Sequence, residues 1–432
     1  MKREGGLFDR VCDARRIVEA AWRASQGKRH RPEVVAFMAR LEAEAARMVA
    51  DLSTGTYTFS RYGQFQIRDP KTRVIHAPAF RDRVLHHALI GVTGPSFELG
   101  AMDQSFACRA GKGQHAALRQ ARSWLRPKDW FLKLDVAKFY DSIPHERMRW
   151  ALRRRFRERR LLALFDRLLD SYHHSPGHGL PIGALTSQYL GNFYLDVFDR
   201  WVKQTCRVAR YLRYMDDMLL VADPETLRAV RTGAAEALGE MGLRMKGGGV
   251  MNRAEHGAPF LGFVLYPDRT RLNRLGRRRL RRRLHGIEKE HCHGKSTEAD
   301  LQSRATALFA HAQFGDDIAW RRMVCGFSRL GEALEPDDGP RPARRLLEQY
   351  RQELPLRHPQ QEQGGQSQQE QRLPSLFAPW HGDTALPPDD APSRAPATAG
   401  DETTRKTPPQ AEICPGRVEK ACGGAAKGED NP

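Results

Sequence analysis

Residues 213–220 read RYMDDMLL, two adjacent acids inside an otherwise apolar run. Burying one unpaired carboxylate is costly, and burying two side by side costs more, unless a cation neutralises them or the pair sits at a solvent-facing tip. The run therefore predicts strand structure turning at a tip that carries Asp216 and Asp217. WFLKLDV and APFLGFVLY are further short apolar strands, and FQI and RVIHA flank Asp69-Pro70-Lys71 as a hairpin would. Residues 10–58, 82–125 and 146–172 carry apolar positions at helical spacing. Strands interleaved with long helices predict an α+β fold.

The charge balance narrows the class of partner. The 432 residues hold 71 Lys and Arg against 52 Asp and Glu, a net charge of +19 that favours a polyanion, nucleic acid before membrane. Residues 351–432 carry nine Lys and Arg against twelve Asp and Glu, so the basic excess belongs to residues 1–350. The composition after about residue 355, opening with HPQQEQGGQSQQEQ and rich in proline, predicts a disordered low-complexity tail over 351–432. Seven scattered cysteines without a C-x-x-C pair suggest neither a disulfide framework nor a zinc ribbon, and His291-Cys292-His293 reads as a solvated loop. The amino terminus lacks the apolar core of a signal peptide, and no apolar run of about 18 residues occurs, so the expectation is a cytoplasmic chain that does not enter the membrane.

Asp135 ends the strand pattern WFLKLD. Alone it reads as a turn or cap residue. Beside a hairpin tip it would complete a set of three carboxylates with Asp216 and Asp217, and hard oxygen ligands in that number suit Mg²⁺. Two such ions about 4 Å apart support in-line phosphoryl displacement. A cation among the acids would remove the like-charge penalty.

Tyr214-Met215-Asp216-Asp217 resembles the Y-x-D-D hairpin of reverse transcriptases, and the Asp135 stretch resembles their first palm motif, in the same order along the chain. The resemblance implies a right-hand polymerase fold, with an N-terminal helical region (1–60), fingers (61–130), a palm (131–265, with finger-associated helices at 146–178) and a helical thumb (266–350). It implies Asp135 and Asp216 as the main ligands of two Mg²⁺ ions, with Mn²⁺ as a substitute, and adds Asp217 and the Val136 carbonyl. Lys71 and Arg73 would reach the incoming triphosphate, Tyr140 would sit under the sugar as a steric gate, and Ile182 and Gln188 would lie near the nascent base pair. Phe260, Leu261 and Gly262 resemble the primer grip, and Arg109 and Lys112 a nucleic-acid-binding fingers motif. In the arginine-rich thumb stretch, Leu280, Leu284 and Ile287 share one helical face, leaving Arg274, Arg277, Arg278, Arg281 and Arg282 for a template–primer duplex.

The stretch GLPIGALTSQ places Ile182 where group II intron and retron enzymes usually carry Gln, and is similar to reverse transcriptases of diversity-generating retroelements. That subtype implies a bacterial or phage-encoded enzyme that copies a template RNA into cDNA from a primer and dNTPs, errs opposite adenine, and works with a basic accessory variability protein. Two departures stand out: Ala184 replaces a common Asn, and Gly249 lies near the position of a Lys, for which Lys246 is the nearest substitute. The competing readings are a group II intron-like or antiviral-defence reverse transcriptase and, outside catalysis, an RNA-binding scaffold on an inactive palm.

Overall fold

In the computed structural model, the described residues are 3–68, 72–318, 320–321 and 324, all within one compact unit. The expected tail, the far part of the expected thumb and the tip holding Lys71 lie outside them. Four helices come first: α1 (Phe8–Val11), α2 (Ala14–Ser25), α3 (Pro32–Met38) and α4 (Leu41–Thr54). The Asp13 carboxylate accepts from Arg16 N–H to start α2, and Gly55, at φ 74°, ends α4 in the left-handed region where glycine is unstrained. Strands β1 (Gly63–Arg68) and β2 (Thr72–Ala77) form the expected antiparallel hairpin, Arg73 opposite Ile67.

The periodic run from 82 to 125 is two helices, α5 (Phe80–Gly100) and α6 (Gln114–Trp124), because the stretch between them contains Gly111 and Gly113 in left-handed backbone. Then follow β3 (Trp130–Asp135), the short α7 (Phe139–Ser142), α8 (His145–Arg155), α9 (Arg159–Asp170) and α10 (Leu185–Arg200), which runs into a π-turn at Trp201–Thr205. Strands β4 (Arg210–Tyr214) and β5 (Asp217–Ala222) precede α11 (Pro224–Glu240) and β6 (Val250–Arg253). APFLGFVLY is not one strand but two, β7 (Ala258–Phe260) and β8 (Phe263–Leu265), followed by β9 (Thr270–Leu272), α12 (Arg274–Cys292) and α13 (Glu298–Ala312).

The central sheet has the antiparallel order β4-β5-β3-β6, and its two faces feed different cores. Leu132, Leu134, Met218 and Leu220 pack on the larger one, built from the N-terminal helices and α5, α8, α9, α10 and α11. Phe131, Leu219 and Val221 face the smaller one, with α6, the β7-β8-β9 sheet, α12 and α13. A strand covered on both sides needs apolar residues without alternation, which is why MLLV follows the acids. Burial of each such side chain contributes about 1.5–3 kcal/mol, enough to hold β5 in place against the cost of the carboxylates at its start.

Candidate active site

Tyr214 pairs with Asp217, so Met215 and Asp216 are the two residues of the β4–β5 turn, and Met215 takes φ 54°. A buried guanidinium supports the turn from behind. Arg213 donates to Asp199 through Nε (2.7 Å) and Nη2 (2.6 Å), and through Nη1 to Asn192 Oδ1 (3.0 Å) and the Met215 carbonyl (3.2 Å). Tyr211 adds its hydroxyl to Asp199 at 2.6 Å. Burial disfavours the charge on Arg213, but the Asp199 carboxylate outweighs it and holds the guanidinium protonated.

Asp135 stands directly opposite Asp217 across β3 and β5, an arrangement that sets like charges against each other. Lys246 Nζ lies 2.7 Å from Asp135 Oδ2, and Lys133 Nζ lies 3.1 Å from Asp217 Oδ1. Lys133 reaches Asp217 because it shares a strand face with Asp135, two residues away. The Lys246 backbone N–H also donates to the Asp135 carbonyl (2.7 Å), and an antiparallel bridge between Val136 and Met245 fixes the chain just beyond. Burial pushes Asp217 up to about 6; Lys133 opposes this, while Asp216 and Asp135 add to it. Asp216 is raised by burial and by Asp135, and Arg73 and Lys246 pull it back down. The three predicted acids thus converge. Asp217 Oδ1 is buried with Lys133 Nζ at 3.1 Å beside it, and three hard carboxylate donors meeting at one point are the set a divalent cation takes.

The remaining predicted residues divide. Arg73 is exposed on β2, yet its charge acts on both Asp216 and Tyr140. Tyr140, on α7, directs its hydroxyl to Met215 Sδ (3.5 Å) and packs on Phe139. Gly191 leaves room for both rings: a Cβ there would meet Phe139 Cε1 at 3.1 Å and Tyr140 Cε1 at 3.4 Å. Ile182 accepts from His76 N–H at 2.8 Å, joining its loop to β2. Gly183, at φ 114°, is required there, since a Cβ would stand 2.6 Å from Ile75 Cγ2. Gln188 Oε1 accepts from the Cys108 thiol at 3.3 Å.

Phe260 is buried, while Leu261 and Gly262, at φ 47° and 86°, form the tight turn between β7 and β8. Gln114 Nε2 donates to the Leu261 carbonyl (2.8 Å) and Asn273 N–H to the Gly262 carbonyl (3.0 Å). On α12, Leu280, Leu284 and Ile287 are buried as the spacing predicted, and Arg274, Arg278, Arg281 and Arg282 are exposed. Arg277 is different: it bonds Asp317 (2.8 Å) and the Leu272 carbonyl (3.1 Å), so its charge is used within the fold. Arg109 likewise spends its donors on Glu98 (2.7 Å) and the carbonyls of Met102 and Ser105, and Lys112 pairs with Asp103 (2.6 Å). The Arg213–Asp199 support and Lys133 were not anticipated, although the two-residue spacing of Lys133 from Asp135 on a strand was visible.

Residues 67–264 match the family model described as reverse transcriptase (RNA-dependent DNA polymerase). This stretch, a little under half of the chain, resembles a reverse transcriptase domain. The chain is 26% identical over 145 residues to protein YkfC of Escherichia coli, covering 31% of this chain and 38% of that one. It is 23% identical over 172 residues to the group II intron-encoded protein LtrA of Lactococcus lactis, covering 38% of this chain and 29% of that one. Among solved structures it is similar to apo telomerase from Candida tropicalis truncated from its C-terminal domain, with TM-score 0.40, 10% identity and coverage of 52% of this chain and 58% of that one. The chain thus spans well under half the length of these two curated relatives. Among the described residues, no helix is long and apolar enough to cross a membrane.

Proposed function

We propose that the protein is an RNA-directed DNA polymerase that extends a primer on an RNA template by nucleotidyl transfer from dNTPs. The observation that carries this reading is the placement of Asp135 and Asp217 in cross-strand register, with Asp216 on the adjoining turn, so that three carboxylates share one place. Asp135, Asp216, Asp217 and the Val136 carbonyl would hold divalent ions, Mg²⁺ or Mn²⁺. Such ions, when bound, supply the charge that activates an attacking hydroxyl and stabilises the departing oxygen of a phosphoryl displacement.

The protein groups around that point have separable tasks. Arg73, joined by Lys71, binds the triphosphate through a planar fork suited to phosphate oxygens. Tyr140 excludes a ribose 2′-hydroxyl by filling the space beneath the sugar. The rigid turn at Leu261–Gly262 supports the primer end. Exposed Arg274, Arg278, Arg281 and Arg282 bind duplex phosphates, so each contact adds roughly 0.9 to the slope of log affinity against log salt. Primer extension on an RNA template by the full chain, with Asp216→Ala as comparison, tests the reading; equal extension by both would overturn it.

The finer assignment is to an error-prone enzyme of a diversity-generating retroelement. Its support is Ile182, an aliphatic side chain where a polar one would constrain the nascent pair. Loss of one such buried hydrogen bond is worth about 1–3 kcal/mol of discrimination. Ile182→Gln is expected to lower misincorporation opposite template adenine more than opposite the other bases; accurate copying of adenine by the unaltered enzyme would remove the subtype. The similarity to LtrA favours a second reading, a group II intron-like enzyme, which the same fidelity measurement separates.

A further inference from the structure

Between α9 and α10 the chain runs SYHHSPGHGLP, residues 171–181, and folds back over the start of α8. Its backbone is stitched there by Gly177 C=O to His145 N–H (2.8 Å), Gly179 N–H to Ile143 C=O (2.9 Å) and Leu180 N–H to Tyr140 C=O (2.8 Å). Under this loop lies His145, completely buried. Its Nε2 is 2.7 Å from the Gly179 carbonyl, a contact that forces the proton onto Nε2 because a carbonyl only accepts. In the tautomer with its proton on Nε2 the lone pair is on Nδ1, and that atom is buried with no hydrogen-bond partner.

Beside His145 stand two more possible ligands, Asp170 and His173. One ligand atom from each of His145, Asp170 and His173 lies within 4.8 Å of the others, and the two imidazole centroids are 4.8 Å apart. Arg149 Nη2 donates to Asp170 Oδ1, which orients the carboxylate and leaves its second oxygen to give. His173 Nδ1 accepts from Gly177 N–H at 3.2 Å, so coordination through Nδ1 exchanges that long contact for a metal bond and leaves its proton on Nε2. A histidine that donates one ring N–H to a backbone carbonyl and keeps its other nitrogen unpartnered, in a cluster with a second histidine and a carboxylate, has the arrangement of a metal ligand.

We infer that His145, His173 and Asp170 form a second metal site, distinct in chemistry from the carboxylate cluster, that takes a borderline transition ion such as Zn²⁺. Two imidazoles and one carboxylate suit Zn²⁺, whereas the all-oxygen set at Asp135, Asp216 and Asp217 suits Mg²⁺. Asp170 and His173 are exposed, so the ion has an entry path and a solvent molecule completes its shell. Bound there, it ties the end of α9 to the start of α8 and steadies the loop that continues into Ile182 and Gly183.

The test uses untagged full-length protein, stripped with chelator and dialysed against Zn²⁺ in excess Mg²⁺, with retained metal counted by atomic emission. About one equivalent should remain, and it should remain in Asp216→Ala as well, which separates the site from the polymerase centre. His173→Gln and Asp170→Asn, at exposed positions, should weaken retention by roughly tenfold or more while the circular dichroism spectrum stays native. Zn²⁺ should also raise the thermal midpoint of the unaltered protein and not of His173→Gln. Absence of retained Zn²⁺, or retention indifferent to both substitutions, overturns the inference whether or not the protein polymerises.

Discussion

Asp199 and Asp217 lie on either side of β4, and the molecule treats their charges in opposite ways. Asp199 is completely buried, but it receives two guanidinium bonds from Arg213 and the Tyr211 hydroxyl. Asp217 faces another carboxylate across the sheet, adjoins a third on the turn, and has one lysine against it, Lys133 Nζ at 3.1 Å. The first acid is compensated within the protein and belongs to the architecture. The second is under-compensated in a fold that could have supplied more donors, and that shortfall marks where a cation from outside is expected.

Changes that remove charge from each place should therefore fail differently. Asp216→Ala should abolish primer extension, by on the order of 10⁴-fold or about 5.5 kcal/mol of barrier, while the urea midpoint holds or rises because a raised, poorly matched carboxylate is gone. A fall in both would blur the distinction. Arg213→Met should act on the fold instead, leaving Asp199 buried and unpaired at a cost of about 3–5 kcal/mol in urea unfolding. Adding Asp199→Leu to it should recover much of that loss, whereas no second substitution near Asp217 should restore the activity of Asp216→Ala.

The part of this contrast visible in the sequence was the part set by short range. The adjacent acids, the apolar run after them and the strand end at Asp135 gave the hairpin and the cluster, because strand period and burial cost act over a few residues. The buried face of α12 was legible for the same reason: its leucines keep helical spacing. Arg213 was not legible as a support, since its partner is on α10 and a basic residue before the turn looks the same whether it faces solvent or Asp199. Arg277 was misjudged for a like reason, its partner Asp317 being 40 residues away. The β7–β8 turn was hidden because Leu261 gives no turn signal, and only Gly262 hinted at it. His145 and His173 are separated by two helices that bring them together only in the folded chain.

A smaller change tests how closely the site depends on packing outside the charges. Gly191→Ala adds a methyl to the interior of α10, which favours the helix by about 1 kcal/mol. The same methyl would press on Phe139 at 3.1 Å and Tyr140 at 3.4 Å, and Phe139 is fixed in the core. The two effects should nearly cancel in urea unfolding, to within about 1 kcal/mol. Tyr140 has the freer ring and should take up the displacement, so discrimination between dNTPs and NTPs should fall severalfold with stability unchanged. Unaltered discrimination would detach Tyr140 from sugar selection.

The smallest effect separates two of the turns that carry a side chain in left-handed backbone, Met215 at the acids and Leu261 at the β7–β8 tip. A side chain there costs about 1–2 kcal/mol, and glycine removes it while giving back about 0.5–1 kcal/mol through the freedom of the unfolded chain. Leu261→Gly should therefore raise stability by about 0.5–1 kcal/mol in urea unfolding, and because its carbonyl bond to Gln114 is backbone on the turn side, the turn should keep its place. Met215→Gly relieves the same strain but deletes the sulfur that meets the Tyr140 hydroxyl at 3.5 Å. Similar gains in stability with activity lost only in Met215→Gly would show that the strain at the acid turn holds a side chain the site needs, while the strain at the other turn holds none.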